Sequence, residues 1–185
     1  MIQSGFHDQK VWRSVLFQIV AGLYVLQKEQ IAIDNMTLED NIYLKDLGIK
    51  APNVGYWKYI VDGYEYFVPN HGALALIDTN FKEIKYDQTL VGRNSKDIKY
   101  KIYANMFNGT DNSTVSETHN SPEIQEIIFQ NFRRIINPDN FGKGFVKNGG
   151  VIPPAEIMSL LGNMYSQASQ TGASSNIADY LKHNM

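Results

Sequence analysis

No cysteine occurs among the 185 residues, which excludes disulfides and thiolate metal sites and permits a reducing compartment. Nor does one sign of charge dominate. Lys and Arg number 17 against 19 Asp and Glu, a formal net charge of -2, and the pI is near 6.1. This removes the chain-wide basic footprint on which non-specific nucleic-acid binding rests, so no nucleic-acid partner is expected. A membrane-spanning run is missing as well. The longest apolar stretch, Val15 to Leu26, is interrupted by Gln18 and Gly22 and falls short of the ~20 residues that cross a bilayer. The opening Met1-Ile2-Gln3-Ser4-Gly5 lacks the basic-then-apolar order of a secretory signal. The expectation is a soluble protein, not secreted and without a membrane partner. The triplets Asn108-Gly109-Thr110 and Asn112-Ser113-Thr114 then read as chance matches to the glycosylation pattern.

What is present is enough for a core. With 43% hydrophobic and 19% charged residues, the chain is expected to bury one substantial interior as a single domain over residues 1–185, without internal repeats. Asp8 is placed to cap a helix whose apolar positions Val11, Trp12, Val15, Leu16, Ile19, Val20, Leu23, Tyr24 and Leu26 recur every three or four residues. The stripe is wide, so this helix should be central, with Lys28, Glu29 and Gln30 closing it at the surface. Ile31 and Ile33 precede a polar turn, and Ile42 and Leu44 alternate with Tyr43 and Lys45 as in a short strand.

Two β-rich runs, Tyr56 to Val61 and Tyr64 to Val68, flank Asp62-Gly63. Asp-Gly between such runs specifies a tight hairpin, because both turn positions favour positive φ. Ala73 to Ile77 reads as a buried strand ending at Asp78, and the segment after Asn80 as an irregular loop. Ser121-Pro122-Glu123 opens a second helix carrying Ile124, Ile127, Ile128, Phe132 and Ile135, which Pro138 ends. A third helix follows Pro153-Pro154, with Ile157, Leu160, Leu161, Met164 and Tyr165, and a last short one spans Asn176 to His183. The class is α+β, mainly helical with a β-hairpin and short strands.

Several of these residues together resemble the C-lobe of protein kinases. Phe17 to Leu26 is similar to the helix before the catalytic loop, Asn41-Ile42-Tyr43-Leu44 to the loop asparagine and its following strand, and Asp78 to the aspartate of the magnesium-binding triplet. The inserted hairpin, with Tyr66-Phe67-Val68-Pro69-Asn70-His71-Gly72, more narrowly resembles serine/threonine kinase-like proteins of large DNA viruses. The likeness covers residues 1–85, whereas residues 86–185 form a divergent helical part. It implies magnesium and ATP as cofactors, held by Asn41 and Asp78.

The departures from that pattern carry as much weight. The family places its catalytic aspartate five residues before the loop asparagine, and here that position is Met36, which can neither accept a proton nor align a hydroxyl. Asp34, two residues further back at the place of the family's usual histidine, is the remaining candidate base and requires a shifted loop. The triplet reads Asp78-Thr79-Asn80, without the anchoring phenylalanine and the turning glycine, and the candidate helix begins too early to leave room for an N-lobe. Phosphoryl transfer depends on positioning and charge neutralisation, so these losses together predict an inactive protein.

Plainer roles stand beside each of these. Asn41 is equally suited to tie a turn by bonding its backbone, and Asp78 to end a strand. Trp57, Tyr59, Tyr64 and Tyr66 read as cross-strand packing rather than base stacking. The connector Gly142 to Gly150 lacks the spacing of a phosphate-binding loop, and His7, His71, His119 and His183 have no ligand-like spacing. Lys82 to Lys101, interleaved with tyrosines, reads as a solvated surface rather than a docking site for an acidic partner. The function expected is an inactive kinase-like interaction or scaffold module with a protein partner, in host cytoplasm or virion. Two alternatives are a residual serine/threonine kinase or ATP-binding protein whose N-lobe comes from elsewhere, and a viral structural protein.

Overall fold

The computed structural model describes residues 8–48, 55–78, 84–86, 122–141, 153–172 and 175–185. The expectations for Gly142 to Gly150, for His7 and His119, for the Ser121 cap and for both Asn-X-Thr triplets lie outside these residues. Helix α1, Gln9–Lys28, is the axis of the fold. Asp8 caps it, its carboxylate accepting from the Lys10 N–H at 2.9 Å, and Trp12, Val15, Leu16, Ile19, Val20 and Leu23 are all buried. Every later layer packs on this stripe: α1 touches strands β1, β4 and β5 and all three C-terminal helices.

Beyond α1 the chain turns at Gln30, whose φ of 54° lies in the left-handed region. The turn folds its amide onto the Gln27 carbonyl at 2.7 Å. Gln30 is therefore buried, contrary to the expectation that it closes the helix at the surface. Strand β1, Ile31–Ile33, follows, and the short helix α2, Leu38–Asn41, is capped by Thr37, whose hydroxyl accepts from the Asp40 N–H.

The strands pair as three two-stranded antiparallel sheets. Strand β2, Ile42–Asp46, pairs with β5, Ala73–Ile77, from Ile42↔Ile77 to Asp46↔Ala73. Between them lies the hairpin of β3, Tyr56–Val61, and β4, Tyr64–Pro69. Asp62 at φ 51° and Gly63 at φ 79° make its turn as expected for Asp-Gly. Strand β1 pairs with β6, Ile84–Tyr86. This strand lies where the sequence suggested an irregular loop; its order comes from pairing with a partner fifty residues away, which no local pattern encodes.

Strand β5 is also less enclosed than its apolar run implied. Ala73 is buried but Leu76 is 41% exposed, because a two-stranded sheet covers β5 on one edge and α1 on one face only. The contact with α1 follows one row of the helix. Ser14 donates to the Pro69 carbonyl at 2.9 Å. One turn later Gln18 donates to the Ala73 carbonyl at 3.1 Å and accepts from the Ala75 N–H at 3.0 Å. A further turn on, a Cβ at Gly22 would sit 2.8 Å from Ile77 Cδ1. The row at positions i, i+4 and i+8 thus gives β5 a partner for its backbone and then room for a close approach.

The remaining helices close the core: α3, Pro122–Ile136, α4, Ala155–Gln170, and α5, Ile177–Asn184. Pro138 does end α3, and residues 138–141 then form a helical turn that puts Phe141 against Trp12, with ring centroids 6.2 Å apart. Ile128, Phe132, Ile135, Ile157, Leu161 and Met164 are buried, while Ile127, Leu160 and Tyr165 lie half-buried at the rim. Helix α5 is capped by Asn176 and locked to α1 by one side chain. Gln27 donates to the Ser175 carbonyl and accepts from the Ile177 N–H, both at 2.8 Å. The architecture is α+β, a helical core with small antiparallel sheets.

Candidate functional site

The loop from Asp34 to Asn41 and the end of β5 at Asp78 meet in space. Asp78 donates its N–H to the Asn41 carbonyl at 2.9 Å, and Asn41 Nδ2 donates to the Asp78 carbonyl at 3.0 Å. Asn41 Oδ1 accepts from the Thr37 N–H at 2.9 Å. Each polar atom of the Asn41 amide is thereby used on the backbone, and the residue is buried. This is the turn-tying role open to an asparagine in this position. The Asp78 side chain is at the exposed end of the strand.

Met36 points the other way. Its side chain is wholly buried, at 0% exposure, and belongs to the core cluster with Leu16, Ile33 and Phe132. Asn35, at φ 54°, takes the left-handed conformation that turns the chain so that Met36 faces inward. Asp34 is half-buried on the same loop.

Two residues that the sequence left unmarked hold this loop. Asn131 Nδ2 donates to the Ile33 carbonyl at 2.6 Å, and Arg134 Nη1 donates to the Met36 carbonyl at 3.2 Å. Both come from α3, ninety-eight residues away. Asn131 is a polar residue inside an apolar stripe and buried; that break in the pattern was the available signal. Among the described residues, no group of three or more His, Asp or Glu is placed to hold a metal ion, and none of the described helices is long and apolar enough to cross a membrane. His71 is half-buried, and His183 pairs its Nδ1 with the Asp179 carbonyl at 2.7 Å.

The hairpin presents a second surface of note. Its inner face packs on α1: Tyr59 and Tyr66, cross-strand partners, lie 5.2 and 5.1 Å from the Phe17 ring. Burial raises both phenol pKa values, because the phenolate is the form that loses hydration. Its tip is fastened to α5, where Lys182 donates to the Tyr64 hydroxyl at 2.8 Å and lies 4.4 Å from the ring centroid. That bond raises the Lys182 pKa. The outer face carries Tyr56, Ile60 and Phe67, each more than 60% exposed, around a Lys58–Glu65 ion pair at 2.5 Å. Large apolar side chains exposed together on one sheet face are an uncommon feature of a solvated surface.

Comparison with known proteins adds one relative. An uncharacterized protein of Acanthamoeba polyphaga mimivirus is 46% identical over 161 residues, which is 87% of this chain and 20% of that protein. The chain therefore spans about a fifth of the length of the relative it matches. This likeness fits an origin in a large DNA virus. No family model matches the chain, and no solved structure matches it.

Proposed function

We propose that this chain is a catalytically inactive, kinase C-lobe-like module of a large DNA virus that serves as an interaction or scaffold element, in host cytoplasm or virion. The observation that carries the reading is Met36. The residue at the place of the base is apolar and buried in the core, so it is integrated into the fold rather than merely exchanged at the lip of a cleft. The outer face of the hairpin supports a protein partner, since its apolar side chains remain uncovered among the described residues. The test is an in-vitro assay with ATP, magnesium and generic protein substrates. No phosphotransfer above background is expected; magnesium-dependent transfer that disappears in Asp78→Ala overturns the reading.

A second reading starts from the meeting of Asn41 and Asp78 at the loop: nucleotide binding, with the missing lobe supplied by a longer parent or a partner chain. To reach magnesium, the Asn41 amide would have to give up its bonds to the Thr37 and Asp78 backbone. The length of the mimivirus relative is compatible with such a parent. Calorimetric titration with ATP and magnesium decides this reading, and absence of heat at millimolar nucleotide eliminates it for the isolated chain.

A further inference from the structure

We draw no further inference here: the strongest candidate, the outward face of the β3–β4 hairpin with Tyr56, Ile60 and Phe67, is an apolar surface for which nothing in the structure shows what covers it.

Discussion

Asn41 and Asp78 hold each other through a reciprocal pair of hydrogen bonds, the Asp78 N–H to the Asn41 carbonyl and the Asn41 side-chain amide to the Asp78 carbonyl. The pair joins the start of β2 to the end of β5. Asn41→Ala deletes the second bond and the one from Thr37, leaving the part-buried Thr37 N–H and Asp78 carbonyl to find other partners. A loss of about 1–3 kcal/mol is expected by urea denaturation. An unchanged midpoint would mean that the amide does not support the loop.

Met36→Asp discriminates an inactive fold from a damaged enzyme. If only the base were missing, the aspartate would restore some phosphotransfer. The buried position predicts no gain of activity and a loss of stability of about 3–5 kcal/mol, since an unpaired carboxylate enters the core. Met36→Leu, close in volume and apolar, should cost less than about 1.5 kcal/mol. Denaturation curves for both variants beside a phosphotransfer assay make the comparison.

The two faces of the hairpin should separate stability from binding. Phe17→Ala removes the ring on which Tyr59 and Tyr66 rest and is expected to cost about 3–5 kcal/mol. Phe67→Ser on the outer face should change stability by about 1 kcal/mol or less. Under the interaction-module reading, it should also abolish capture of a partner identified with the intact protein. A Phe67→Ser protein that stays folded and retains that partner would place the contact elsewhere.

At Gly22 two effects oppose each other. Gly22→Ala gains about 1 kcal/mol of helix propensity, but the new Cβ forces the flexible end of Ile77 to move, at roughly 0.5–1.5 kcal/mol. The thermal midpoint should therefore hardly change. A larger side chain cannot be absorbed this way, and Gly22→Leu should lower stability by at least about 1–3 kcal/mol by pushing β5 off the helix.

Alkaline pH should loosen the hairpin first. Tyr59 and Tyr66 have raised pKa values in the folded state, so above pH ~10 the unfolded chain releases protons that the folded chain retains. The folded state is then disfavoured progressively as pH rises through the folded values. Lys182 acts in the same sense, because its bond to Tyr64 favours the protonated amine and is lost as that amine deprotonates. Tyrosine absorbance followed against pH should show a late-titrating fraction whose release coincides with unfolding. Simple titration of all tyrosines near pH ~10 would contradict the packing of the inner face.

The elements that declared themselves in sequence are those governed by local rules. Helix α1 followed from spacing and a capping aspartate, and the hairpin from Asp-Gly between alternating runs. Elements made by distant pairing did not. Strand β6 is three residues long and depends on β1. Gln18 read as an interruption of an apolar run, yet its amide serves as a peptide-like partner for β5, a role that only the folded neighbour reveals. Of the candidate site, Asn41 and Asp78 could be named only through the resemblance to kinase C-lobes, and their contact is seen only in the fold. The loop's anchoring by Asn131 and Arg134 could not, since both lie ninety-eight residues from the carbonyls they bind.

The Gln27 amide has a kinetic consequence. Its partners are 148 and 150 residues further along the chain. During synthesis α1 is made well before Ser175 and Ile177, so both polar groups of the Gln27 side chain wait for those residues. Native closure of this contact thus follows synthesis of Ile177, and until then α1 exposes the apolar stripe that a nascent-chain chaperone would engage.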